Sequence, residues 1–101
     1  MSVAGDVASD AVGPVLIPGG VTDALLAALR RRNPEMRVAP QGAYVRVLAP
    51  GRCRLVRADV EELLARSFAL PGDLEAVMPA FKGRLAFTAT GAEWSFAERG
   101  R

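Results

Sequence analysis

The side chains in this sequence with the reactivity for catalysis are one cysteine, a set of carboxylates and a set of arginines, and histidine is absent. Without His the chain lacks the side chain that most readily moves protons near neutral pH. Cys53 stands in the strand-like run "RCRLV" and reads as a small buried hydrophobe, because nucleophilic thiols need partly exposed, electropositive settings. A single thiol can form neither an intramolecular disulfide nor a multi-cysteine metal site, which fits a reducing cytoplasm. Glu61, Glu62 and Glu75 could act as acids, but helix-start and solvent-face positions already account for them. "GPVLIPGG" lacks both the GxGxxG spacing and the Lys-Ser/Thr of a phosphate loop. The expectation is a chain with no catalytic residue, no cofactor and no metal.

What remains is a surface. The stretch "GAYVRVLAPGRCRLVRADVEELLARSF", residues 42–68, carries arginines at alternating positions along two strands before a helix. The 13 basic residues barely exceed the 11 acidic ones, and a net charge of +2 does not demand a nucleic-acid partner. "GAYVRV" is similar to the aromatic strand of an RNA-recognition motif, but that module stacks bases on two or three exposed aromatics and only Tyr44 is available here. Arg30, Arg31 and Arg32 read as a solvated helix end, and Trp94 as core packing.

The elements that position this surface follow from periodicity. At 101 residues the chain matches one compact domain, expected over 12–98, with a flexible N-terminal tail at 1–11 and a short C-terminal one at 99–101. No apolar run approaches the roughly 20 residues that span a bilayer, and the first residues lack a secretory pattern. "VGPVLIPGG" reads as an edge strand, because Pro14 lacks a ladder N–H. A helix follows with Thr22 or Asp23 as N-cap and Val21, Leu25, Leu26 and Leu29 on one stripe, ended by Asn33 and Pro34. "EMRVAPQ" is a short strand and "AYVRVLA" a clear one.

A bulged hairpin at Gly51 is expected to pair Val47 with Cys53 and Val45 with Leu55, turning Tyr44, Arg46, Arg52 and Arg54 outward. Asp59 then caps a helix over 59–68 with Glu62 completing a capping box, and Val60, Leu63, Leu64 and Phe68 are buried. "PGDLEAVMPAF" gives a shorter helix capped by Asp73, with Leu74, Val77, Met78 and Phe81 inward. In the last hairpin, turning near Gly91, Leu85 and Phe87 face Trp94 and Phe96. The order is β-α-β-β followed by β-α-(α)-β-β, an α+β fold of two β-α-β-β units forming antiparallel sheet packed on helices.

The succession "VGPVL", "NP" after the first helix, "AYVRV", "EELLARSF", "PAFKGR" and "WSF" resembles the effector, or coupling, proteins of bacterial soluble di-iron multicomponent monooxygenases. It is most similar to effectors of the toluene and related four-component aromatic or alkene monooxygenases. The resemblance runs from about Val12 to Ala97, and order and spacing carry it rather than any single piece.

It implies a cofactorless, monomeric, non-catalytic subunit. Such a subunit docks on a di-iron hydroxylase and couples electron transfer and oxygen activation to hydroxylation, with no nucleic-acid or membrane partner. Val12, Gly13 and Pro14 match the family's opening strand, Asn33 and Pro34 its first helix end, and Tyr44, Val45 and Arg46 its central strand. Phe68, Phe81 and Gly83 match its second helical region. Val45, Phe68 and Phe81 are expected to be structural. The partner-binding candidates are Asn33, Tyr44, Arg46, Arg52 and Arg54. A single-stranded nucleic-acid module and a ferredoxin-like small-ligand sensor are the alternatives.

Overall fold

The computed structural model describes residues 10–96. The expected tails therefore lie, apart from Asp10 and Ala11, outside the described residues. The elements are β1 (Ala11–Leu16), α1 (Gly20–Arg32), β2 (Arg37–Gln41), β3 (Tyr44–Pro50), β4 (Arg52–Val56), α2 (Arg57–Leu64), α3 (Gly72–Glu75), β5 (Ala80–Lys82), β6 (Arg84–Phe87) and β7 (Gly91–Ser95). The class is α+β with antiparallel pairing throughout, as expected, and the strands divide between a four-stranded sheet, β2-β3-β1-β5, and a three-stranded one, β4-β7-β6.

The same topology occurs twice. In β1-α1-β2-β3 the last two strands form a hairpin, and the third returns beside the first. In β4-α2-α3-β6-β7 the hairpin β6–β7 likewise returns β7 beside β4. Strand β5 is the addition: it pairs with β1 on the side away from β3, making β1 internal rather than an edge. Pro14 is tolerated there because pairing with β3 runs through Ala11 and Val12 and resumes only at Val15 and Leu16, so its missing N–H falls in the gap. At that gap Gly13, with φ 149°, lies so close to β3 that a Cβ would meet the Val47 carbonyl oxygen at 2.4 Å.

The expected hairpin between β3 and β4 does not form. Gly51, at φ 75°, turns a corner between the two sheets; its N–H donates to the Asp10 carbonyl at 3.0 Å and its own carbonyl accepts from the Phe96 N–H at 3.0 Å. Val47 therefore pairs with Val38, and Cys53 with Trp94. Of the expected inward set Val47, Cys53 and Leu55 are buried and Val45 is half-buried: alternation fixes the face of a strand and not its neighbour.

One core unites both sheets and the helices, with Trp94, Phe68, Leu16, Leu25, Val47 and Val60 wholly enclosed. On α1 the buried stripe is Thr22, Leu25, Ala28 and Leu29, and the N-cap is Gly19 rather than Thr22 or Asp23. The Thr22 hydroxyl lies inside the first turn and donates back to the Ile17 carbonyl. Helix α2 starts earlier and ends sooner than expected, with Val56 at its N-cap and Ala65 left-handed at its C-cap.

Leu63 consequently stays 40% exposed, while Phe68 reaches the core from the following loop, its N–H held by a Glu61 carboxylate oxygen at 2.9 Å. Asp73 does not cap α3 from the N-cap position, which is Pro71; it accepts instead from the Ala69 N–H at 2.7 Å. Leu74 and Met78 are buried, but Phe81 on β5 is 44% exposed, and Phe87 and Phe96 are exposed as well. Leu85 faces Trp94 as expected, whereas Phe87 pairs with Ala92. No described helix is long and apolar enough to cross a membrane.

Candidate functional site

The five candidate residues fall on three different parts of the fold. Tyr44 and Arg46 lie on β3 of the four-stranded sheet, with Tyr44 exposed and Arg46 half-buried, its guanidinium donating to the Gln41 side chain at 2.6 Å. Arg52 and Arg54 project from β4 of the other sheet and are exposed. They do not form one outward face with Tyr44 and Arg46, because the chain changes sheets at Gly51.

Asn33 is buried, at the C-cap of α1. Its Nδ2 donates to the Leu29 carbonyl at 2.7 Å and to the Arg54 carbonyl at 2.8 Å, and its Oδ1 accepts from the Arg54 N–H at 2.9 Å. The amide thus imitates a neighbouring strand along the free edge of β4. It satisfies the very donor and acceptor that a bare edge would expose. Since the Arg54 backbone groups point at Asn33, Arg54 and Glu93 make a non-hydrogen-bonded pair, the geometry in which facing side chains come closest.

On the outward side of this sheet the rows are Arg52, Ser95 and Arg84, then Arg54, Glu93 and Ala86. Glu93 bridges Arg52 at 2.9 Å. Beside the rows, between the turn after α1 and the β3–β4 corner, is a groove of about 340 Å³ bordered by Arg32, Glu35, Pro50, Arg52 and Arg54, with buried Met36 and Ala49 among its lining residues.

Sequence reading missed a second polar cluster. Arg31 and Arg32 are not a free helix end: Arg32 Nε donates to Asp59 Oδ2 at 2.7 Å, and an Arg31 guanidinium nitrogen reaches Glu62 at 2.8 Å and Asp59 at 3.3 Å. Asp59 is therefore the acceptor that locks α2 to α1, not a cap. Hydrogen bonding from Arg32 and the charges of Arg32 and Arg31 hold its carboxyl below the ordinary value despite burial. With partners 27 residues apart, no local spacing could have shown the pair.

Nothing in this arrangement resembles a reaction centre. Burial pushes the Cys53 thiol up to about 12, which removes the thiolate that a nucleophile needs. Among the described residues, no group of three or more His, Cys, Asp or Glu side chains could hold a metal ion. What the surface offers is fixed charge on a rigid sheet, which suits recognition.

Comparison with known proteins agrees in kind. The family model described as MmoB/DmpM matches residues 10–95. The chain belongs to the MmoB/DmpM family. It is 39% identical over 93 residues to the effector subunit of the alkene monooxygenase system of Xanthobacter autotrophicus strain Py2, a match covering 90% of this chain and 91% of that protein. This MmoB/DmpM chain also resembles chains in two solved structures of the phenol hydroxylase–regulatory protein complex. Their TM-scores are 0.77 and 0.74 at 18% and 21% identity, covering 88% and 85% of this chain and 100% and 99% of theirs. At such identities the likeness establishes a shared fold.

Proposed function

We propose that this chain is the non-catalytic effector subunit of a multicomponent monooxygenase, binding the di-iron hydroxylase and coupling electron delivery and oxygen activation to hydroxylation there. The observation that carries the reading is 39% identity to an effector subunit across nine-tenths of both chains. The chemistry of this chain supports it, since a histidine-free protein with its one thiol buried has few groups for catalysis of its own. Tyr44, Arg46, Arg52 and Arg54 are the side chains through which it meets that partner, and Asn33 acts indirectly by fixing the β4 edge that carries Arg54. The free protein is a cytoplasmic monomer. A base-stacking role has little support, because Tyr44 is the lone aromatic among the residues aligned with it on β2 and β3.

Reconstitution tests the proposal. Hydroxylase and its electron-transfer partners are assayed for product formed per NADH consumed while this protein is titrated in. The ratio rises several-fold and saturates near one effector per active site. A ratio indifferent to the protein at any concentration rules the function out.

A further inference from the structure

The open face of the three-stranded sheet holds an unbalanced charge. Its rows are Arg84-Ser95-Arg52 and Ala86-Glu93-Arg54, and all the arginines are exposed. Among the described residues the one carboxylate in these rows, Glu93, is committed to Arg52 at 2.9 Å. Arg54 and Arg84 have no carboxylate partner among the described residues. Their strands are separated by β7, which puts the two backbones roughly 10 Å apart at the usual strand spacing.

The other side of the sheet is filled by the core, where Cys53, Leu55 and Trp94 meet Leu25, Leu29 and Val60. Because no described element covers the arginine side, those charges face water. Two features make the face more than a solvated surface. Asn33 grips both backbone groups of Arg54, which ties the strand edge that carries the guanidinium to the end of α1. At the same edge lies the groove of about 340 Å³, whose lining mixes Arg32, Glu35, Arg52 and Arg54 with Pro50 and the buried Met36 and Ala49, a recess beside the cations.

We infer that Arg54, Arg84 and Arg52 form the docking face for an acidic segment of the hydroxylase, with carboxylates meeting Arg54 and Arg84. This rests on the functional reading above and narrows it, since it places the charged contact on the β4-β7-β6 face and adds Arg84, while leaving Tyr44 and Arg46 outside that contact. Charge complementarity selects the occupant: two uncompensated guanidinium groups held apart on a sheet match carboxylates, and bidentate pairing gives them geometric specificity. A basic or neutral partner segment would leave both cations unsatisfied at the interface.

The test uses calorimetric titration of purified hydroxylase with wild-type protein, with the charge reversals Arg54→Glu and Arg84→Glu, and with Arg66→Glu, exposed in the loop after α2 and away from both sheet faces, as control. Circular dichroism checks that each variant melts like wild type. The expected result is tenfold or greater weakening for each reversal, a shallower dependence of affinity on salt, and less than twofold change for the control. Arg54→Lys, which keeps the charge but not the fork, should lie between wild type and the reversal. If wild type binds and both reversals bind equally well, the docking face is elsewhere while the effector function stands. If wild type forms no complex, the functional reading fails and this inference with it. A labelled single-stranded oligonucleotide bound by wild type and released by Arg54→Glu, with hydroxylase affinity unaffected, assigns the face to nucleic acid and overturns the proposal.

Discussion

Asn33 shows how much one polar side chain can organise. Three hydrogen bonds from one buried amide join the end of α1 to the edge of β4. Leaving the Arg54 backbone groups without that partner costs about 2 kcal/mol, so Asn33→Ala should lower the urea midpoint accordingly, with little change in slope. A change within error would mean that water replaces the amide fully. Asp59 makes a prediction of a different form. Its carboxyl pKa is lowered in the folded protein from an ordinary 3.8, so the stabilisation is present above that value and is lost as pH falls through the lowered one. Asp59→Asn should therefore melt below wild type at pH 7, and the gap should narrow as pH drops below 3.8. A gap that stays constant across the titration would assign the loss to packing rather than to charge.

Among the elements, close approach of β4 and β7 is the strictest requirement. At Gly91 an added Cβ would lie 1.8 Å from the Leu55 carbonyl oxygen, a collision with backbone that no rotamer relieves. Gly91→Ala should cost roughly 3 kcal/mol by forcing the strands apart. Gly20 has nothing within 4 Å of the corresponding position and lies at the start of α1, so Gly20→Ala should leave the melting temperature unchanged or slightly raised. Equal losses at the two positions would show that the strands accommodate the methyl group. The contrast separates glycine required by contact from glycine that merely opens a helix.

For the molecule as a whole, Cys53 reports on cooperativity. It is fully buried in the core common to both sheets and the helices, with its thiol pushed up to about 12. At pH 8 a soluble thiol reagent should leave the native protein unmodified, and labelling should follow the same denaturant midpoint as circular dichroism. Labelling that runs ahead of unfolding would mean that the two sheets separate before either melts.

The sequence by itself marked much of the inward set of the strands, though not of the helices and the last hairpin, where Leu63, Phe81, Phe87 and Phe96 stay exposed. Period-two runs marked Val47, Cys53, Leu55 and Trp94 as core whatever strand lay beside them, and the absence of His excluded the usual proton-transfer chemistry before any fold was known. The α+β order and the doubled β-α-β-β unit were legible for the same reason: each is a string of local periodicities and turn residues. Tertiary structure decided everything that depends on partners distant in sequence. It split β3 and β4 between sheets, enclosed β1 between β3 and β5, drew Asp59 to Arg32 and set Asn33 against Arg54. Nothing within a few residues of Asp59 distinguishes a helix cap from one end of a bridge 27 positions long, and nothing near Gly51 distinguishes a hairpin from a corner. Local preference weighs a few tenths to about 1 kcal/mol per residue, whereas joining both sheets to one core buries side chains at about 1.5 to 3 kcal/mol each, so packing settles the choice.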